Sequence, residues 1–520
     1  MADEVVGELG RAARGGVIAL VGLMVSAVFG FLVRALVGRI YGPSQYGTYN
    51  LAFTVFNITL IVVMLGFPMG IQRQISYFLT KRPKDTGILV STALAIILGT
   101  SLTGLILLEA TRGIIPRYIG GGPSTDRLLL SQLIGILALS LPLSASFNVL
   151  ISVSQGFKRV REYVFYGKML VPVLYFISAG LVAVVFRAGI SEVVTAYVLV
   201  QLTGLILISR DLLKAGILPK QPAFSAKIGR ILVTFSAPLV LSNIVWFIMT
   251  WTDTLMLGHY YGSTVVGIYN AASPLARFIP VFLVAFTVIY SPIATMLYAQ
   301  GKKDEINKLY LSITKWVFLL TFPLFILLFA YPVAVLRELF GLKYVEAQVS
   351  LIILSVGFMF HSLLGPNGLT LVAIGYPKKE MIGNIIGALL NVALNIILIP
   401  QYGMTGASIA TAVSYIISSM YKQVVLFNMN IKPFNKEYYK VICIGIGFTI
   451  LGLLFPTDDI LKAIIYTIGV TVGFYIMLII FGTFTEEDIR LLNSLTKKAG
   501  IDLERLIEII EIFSKKLINK

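Results

Sequence analysis

The chain has 520 residues, of which 57 % are hydrophobic and only 13 % are charged. That balance excludes a soluble globular protein. The formal charge of +17 does not point to nucleic acid, because excess Lys and Arg in such a chain mark the loops kept in the cytoplasm.

The apolar residues come in runs long enough to cross the hydrocarbon core as helices, which needs about 18 or more. In chain order, fourteen spans are predicted: 16–38, 47–69, 87–109, 129–152, 167–187, 193–213, 229–257, 264–292, 309–332, 346–368, 379–400, 404–428, 440–456 and 462–482. The fold class is therefore an all-α polytopic membrane protein with about 14 transmembrane helices. The segment before the first span lacks a basic n-region and a small-residue cleavage site, so no cleaved signal peptide is predicted.

The chain repeats itself. YGPSQYGTYN at 41–50 is matched by YGSTVVGIYN at 261–270, an offset of 220 residues. Asn148 and Gly156 match Asn367 and Gly375 at an offset of 219. Two matches at nearly one offset predict two related halves, the usual construction of membrane transporters. The domains expected are a bundle of six spans over 1–213, a cytoplasmic linker over 214–228 and a second six-span bundle over 229–428. Two further spans follow over 429–484, and 485–520 is a cytoplasmic amphipathic tail. In that tail Leu503, Leu506, Ile510, Phe513 and Leu517 recur at helical spacing, which suits the membrane surface or a partner enzyme.

Charge counting tests the span order. With the N-terminus inside, 32 of the 42 Lys and Arg fall in inside segments and 8 in outside segments. A missed span would scramble that bias, so both termini are predicted cytoplasmic, in the cell's plasma (inner) membrane. The remaining two, Arg34 and Arg277, lie within spans.

An ionisable side chain at membrane depth is costly, so each is a functional candidate. Arg34 sits in FGFLVRALVGRIYG, and Arg277 in NAASPLARFIPVFL between Pro274 and Pro280. Guanidinium binds phosphate bidentately and keeps its charge, so the pair suits a cavity for an anionic head group. Otherwise each snorkels to an interface or pairs with a buried carboxylate. Asp253 is the clearest intramembrane carboxylate, for an arginine, a proton or a sodium ion. Asn57, Asn243, Asn391 and Asn395 either line a path or join helices. Tyr41, Tyr49, Tyr260 and Trp251 read as interface anchors.

No catalytic constellation and no phosphate-binding loop is apparent. His259 and His361 lack carboxylate neighbours at ligand spacing, so no metal and no cofactor are predicted. Transport energy would come from an ion, potential or substrate gradient. Cys443, the single cysteine, cannot form an intrachain disulfide.

RALVGRIYGPSQYGTYNLAF resembles the first signature of the polysaccharide flippases in the multidrug, oligosaccharidyl-lipid and polysaccharide exporter superfamily. SAPLVLSNIVWFIMTWTDTLMLGHYYGSTVVGIYNAASPLARF and GNIIGALLNVALNIILIPQYGMTGASIATAVSY are similar to its second-half signatures. The resemblance implies two six-helix bundles around a central cavity, two additional helices and alternating access. It also implies cationic cavity residues, here Arg34 and Arg277, that grip the pyrophosphate of a polyprenyl-linked sugar.

The reading is a flippase, not an enzyme, that carries a lipid-linked oligosaccharide outward for cell-surface polysaccharide biosynthesis. Its expected partners are that substrate, the bilayer, a coupling H+ or Na+ and glycan-assembly enzymes. An ion-coupled multidrug exporter is the first alternative, and it predicts an acidic cavity. A membrane glycan polymerase or ligase is the second, and it needs a large outer loop that the sequence lacks.

Overall fold

The computed structural model describes residues 2–122, 125–219, 221–484 and 488. Side chains are described from residue 18 onward, apart from those at 20, 241–243, 246, 288 and 289. The amphipathic tail expected over 485–520 lies outside the described residues, Asp488 excepted.

The long helices follow the apolar runs. They are α1 (Ala2–Val63), α2 (Phe67–Lys81), α3 (Thr86–Thr111), α4 (Arg127–Gly156), α5 (Val160–Val185) and α6 (Ile190–Lys214). Then come α7 (Ala226–Tyr261), α8 (Ser263–Ala276), α9 (Val281–Ala299), α10 (Lys303–Ala330) and α11 (Gln348–Leu363). The series ends with α12 (Asn367–Ala373), α13 (Pro377–Phe427), α14 (Lys436–Leu453) and α15 (Ile460–Ile480).

Among the described residues, nine helical stretches are long and apolar enough to cross a membrane, or ten counting the bent pair Ser263–Ala276 and Val281–Thr287. Two of the nine run for 61 and 51 residues, although a crossing needs only about 20. Both are broken by a glycine: α1 at Gly42, with φ 76°, and α13 at Gly403, with φ 53°. Such backbone favours a residue without a Cβ. Counting each broken helix twice, and adding α7 and α14, the tally is compatible with the fourteen spans.

Two compact units emerge. The first comprises Met1–Ala271 with Ala388–Ala410, and the second Ala272–Gly387 with Thr411–Lys520. In the first, α4 is central and packs against α1, α2, α3 and α6. Its buried face carries Ser140, Ser144, Ser152 and Ser154 among leucines and isoleucines, as expected where close helix approach rather than water drives packing. The outward face of α3 is the reverse, with Leu98, Leu102 and Ile106 exposed at helical spacing, suited to lipid. In the second unit α10 packs against α9, α11, α14 and α15. Tyr290, Tyr310, Ile313, Val317, Leu371 and Leu426 form part of its core.

The sequence repeat has a structural counterpart inside the first unit. Gly42 and Gly262 both adopt positive φ, 76° and 84°, and each ends one helical arm before the next begins. Five residues on, the two segments meet. A side chain at Gly47 would overlap the Ser263 carbonyl, and one at Gly267 would overlap the Pro43 carbonyl. Ser263 is the repeat partner of Pro43, and Gly267 of Gly47, so the contact is reciprocal, as a two-fold relation requires.

Candidate functional site: a cationic membrane cavity

Arg34 lies eight residues before the Gly42 break in α1, and the second arm of that helix returns past it. Between the two arms, α5 and α7 is a cavity of about 170 Å³ lined by Gly30, Val33, Arg34, Tyr49, Asn50, Phe53, Asn57, Tyr175 and Trp251. On the second arm, Asn50, Phe53 and Asn57 fall at helical spacing and so share a face. Arg34 is half-buried, with its guanidinium carbon 5.9 Å from the centre of the Trp251 ring. No ion pair to Arg34 is formed among the described residues. The Asn57 amide donates to its own helix at Phe53 O, 2.7 Å away, which leaves the amide oxygen as an acceptor on the cavity side. Tyr49 and Tyr175 close one wall through a 3.0 Å hydroxyl–hydroxyl bond.

Asp253 is on α7, two residues from Trp251, but does not line this cavity. It is buried at 1 % exposure and accepts hydrogen bonds from the Tyr269 hydroxyl at 2.6 Å and the Asn395 amide at 2.8 Å. Asn395 also donates to Asn391 Oδ1 at 3.1 Å. Both asparagines are buried, so here they join helices around a carboxylate. One residue on in each helix the repeat is visible again, because the Asn270 amide donates to Thr254 Oγ1 at 3.2 Å. Thr254 stands where the first half has Arg34, and Asn270 where it has Asn50.

Arg277 belongs to the second unit. It follows α8, where Pro280 prevents the helix from continuing. Its Nη1 donates to the Tyr415 hydroxyl at 3.4 Å, and its guanidinium lies 5.5 Å from the Phe358 ring centre. At the 220-residue offset Arg277 is the counterpart of Asn57. Arg34 and Arg277 thus stand at different positions of the sequence repeat. The side chain of Asn243 lies outside the described residues.

Two sequence readings are corrected. Tyr49, read as an interface anchor, is 5 % exposed and bonded to Tyr175. Trp251, read the same way, lines the cavity beneath Arg34. Hydropathy along one dimension does not separate an aromatic that faces lipid headgroups from one that faces a polar cavity. Loop counting likewise missed buried cations. Lys315 and Lys422 are among the buried residues; the first meets Asp488 and the second meets Glu380 and Asn384. Among the described residues, no cluster of His, Cys, Asp and Glu could hold a metal ion.

A many-spanning helical protein with broken helices, an internal repeat and a cation-lined cavity is built as a membrane transporter. The chain belongs to the family described as polysaccharide biosynthesis protein, whose sequence profile matches residues 12–298. The MatE profile matches 238–397. An uncharacterized membrane protein of Methanocaldococcus jannaschii is 24 % identical, over 95 % of this chain and 96 % of its own. The probable low-salt glycan biosynthesis flippase of Haloferax volcanii is 26 % identical, over 76 % of this chain and 80 % of its own. Among solved structures, the inward closed conformation of the lipid II flippase MurJ superposes with a TM-score of 0.72. That match is at 18 % identity and covers 88 % of this chain and 98 % of the other; it establishes the fold.

Proposed function

We propose that this protein is a flippase that carries a polyprenyl-phosphate- or pyrophosphate-linked oligosaccharide from the cytoplasmic to the outer leaflet, for cell-surface polysaccharide biosynthesis. The observation that carries the reading is Arg34, a permanent cation at membrane depth facing a cavity with no carboxylate among its described lining residues. Burying such a charge costs several kcal/mol unless an anion or a polar cavity offsets it. A substrate whose only fixed charge is phosphate meets that requirement, and the sugar hydroxyls suit Asn50, Asn57 and Tyr175. An exporter of cationic drugs would need the opposite polarity. The names of the relatives, a glycan biosynthesis flippase and a putative O-antigen transporter, support the same substrate class.

In this reading residues 1–213 and 229–428 act as two six-span bundles that alternate access, and the spans over 429–484 are additional to them. Both termini face the cytoplasm across the plasma membrane. Translocation is driven by a gradient rather than by chemistry on the substrate. Asp253 with Asn391 and Asn395 is the candidate for a coupling H+ or Na+. The tail over 485–520 is where glycan-assembly enzymes would meet the flippase.

The test is translocation of a labelled polyprenyl-pyrophosphate oligosaccharide in proteoliposomes. Wild type flips it, while Arg34→Ala and Arg277→Ala insert normally and do not. Flipping by both variants would remove the proposed site. Failure by folded wild type, with drug export in its place, would remove the function.

A further inference from the structure

Lys168 on α5 is a cation that the transport reading leaves unused. Its setting follows from the sequence four residues on. Pro172 has no N–H to offer the carbonyl four residues before it, which is that of Lys168. The helix absorbs the loss by widening. Phe165–Leu170 form a π-helical turn, a break in the ladder that recurs at functional sites. The turn packs against α1, α4 and α6. Gly22 of α1 sits directly over it, where an added Cβ would stand 3.2 Å from that of Lys168 and overlap Val164. The two helices stay together beyond this point, since the Phe29 and Phe176 rings meet edge to face at 5.5 Å. They then line the cavity that holds Arg34 and Tyr175. Lys168 therefore lies two turns before Tyr175 along α5, about 10 Å toward the side proposed to be cytoplasmic. All of these residues belong to the first compact unit.

No anion answers the charge of Lys168. The side chain is half-buried and forms neither an ion pair nor a hydrogen bond among the described residues. From residue 18 onward α1 carries no Asp or Glu, and α4 carries none at all. The carboxylate of α5 and that at the inner end of α6 are Glu162 and Asp211. Arg159 bridges both, at 2.8 and 2.9 Å. A half-buried ammonium with no anion beside it is costly at a membrane boundary, and a phosphate at the α1–α5 seam offsets that cost.

We propose that Lys168 is the entry site for the substrate's phosphate: its ammonium takes the phosphate as the lipid leaves the inner leaflet and passes it outward along the α1–α5 seam to Arg34. The inference rests on the flippase reading of the Arg34 cavity. No bond is made or broken in the hand-over. The two side chains suit the two stages. An ammonium is a compact charge on a flexible stem, which holds phosphate without fixing its orientation, whereas a guanidinium holds it in a planar fork. Phospholipid headgroups carry the same phosphate chemistry, and a lysine near a span end snorkels to them. The two sources differ in what they change: a substrate site sets how much substrate half-saturates transport, and a headgroup contact does not.

The experiment measures initial rates of translocation of a labelled polyprenyl-pyrophosphate oligosaccharide by the full chain in proteoliposomes, over a range of substrate fractions. Lys168→Gln raises the half-saturating fraction roughly tenfold, the scale of one charge-assisted hydrogen bond, and leaves the maximal rate close to wild type. Lys168→Arg, which keeps the charge, stays near wild type in both. A variant that loses maximal rate or thermal stability at an unchanged half-saturating fraction assigns the lysine to packing or to bilayer headgroups and overturns the inference. No translocation by wild type, or wild-type translocation by Arg34→Ala, removes the cavity reading and this inference with it. A second readout needs no variant. In wild type held in lipid nanodiscs, farnesyl pyrophosphate slows acetylation of Lys168, read by mass spectrometry. Farnesol, which has the tail without the phosphate, does not. Equal acetylation rates with and without saturating farnesyl pyrophosphate overturn the proposal.

Discussion

The Arg34 guanidinium carbon lies 5.9 Å from the centre of the Trp251 ring, and in the proposed reading the indole face offsets part of the cost of a cation at membrane depth. A cation over an indole gains about 0.5–2 kcal/mol, the larger value when water is excluded. Trp251→Ala is therefore expected to slow substrate translocation in proteoliposomes several-fold, whereas Trp251→Phe, which keeps an aromatic face, retains most of it. Arg34→Lys keeps the charge but loses the planar fork that engages phosphate bidentately. Its affinity for a polyprenyl-pyrophosphate probe is expected to fall about tenfold, the scale of one charge-assisted hydrogen bond.

Asp253 accepts from Tyr269 and Asn395 in a site with almost no exposure. Replacing one acceptor oxygen with an amide sets donor against donor, and an unsatisfied buried group costs about 1–3 kcal/mol. Asp253→Asn is expected to lower the melting temperature in detergent. Exchanging the pair, Asp253→Asn with Asn395→Asp, returns a carboxylate and an amide to the cluster and recovers much of the loss. A double variant no more stable than the single one would show that the position of the charge, rather than the donor–acceptor count, sets the stability.

Much of this arrangement is legible in the sequence, and the gaps have a physical pattern. Spans follow from apolar run length, and Arg34, Arg277 and Asp253 from their charge inside those runs. The fold-backs at Gly42 and Gly403 follow from glycines between apolar runs. The partners do not. Nothing in one dimension pairs Arg34 with Trp251, or His361 with Tyr415, because those contacts join helices more than 50 residues apart. Charge counting placed Lys315 and Lys422 only among the inside cations, since a lysine near a helix end looks the same whether it snorkels to water or meets a buried carboxylate. Asn57 and Asn395 illustrate the same limit, with like residues in like surroundings, one lining a cavity and the other joining helices.

Gly47 and Gly267 make a prediction about packing alone. Each lies against backbone of the other repeat segment, and backbone gives way less readily than a side chain. Gly47→Val and Gly267→Val are expected to destabilise by more than the ~1–3 kcal/mol of ordinary overpacking and to lower the yield of monodisperse protein. Gly99, on the exposed side of α3 with open space where a Cβ would stand, is the control. There Gly99→Ala is expected to stabilise by about 0.5–1 kcal/mol, since alanine loses less backbone entropy in a helix. Equal thermal stability of all three variants would show that the close approach is not a constraint.

The last prediction concerns the point where the chain leaves α15 (Ile460–Ile480). Lys315 on α10 meets Asp488 and donates to the Thr483 carbonyl at 2.8 Å; the side chains of Lys315 and Asp488 are 6 % and 1 % exposed. Ser312 adds a 3.3 Å bond to the second carboxylate oxygen of Asp488. A charge pair so enclosed gains little over an apolar pair of similar size, because both ions give up hydration, but removing one partner strands the other at a cost of about 3–5 kcal/mol. Lys315→Met is therefore expected to destabilise strongly, and Lys315→Met with Asp488→Leu to recover most of the loss. Limited proteolysis reads the same contact locally. In Lys315→Met, cleavage should accelerate in the segment after Thr483 before the spans unfold, and in the double variant it should return toward the wild-type rate. A double variant cleaved as fast as the single one would show that the charges themselves, not the filled space, hold this segment to α10.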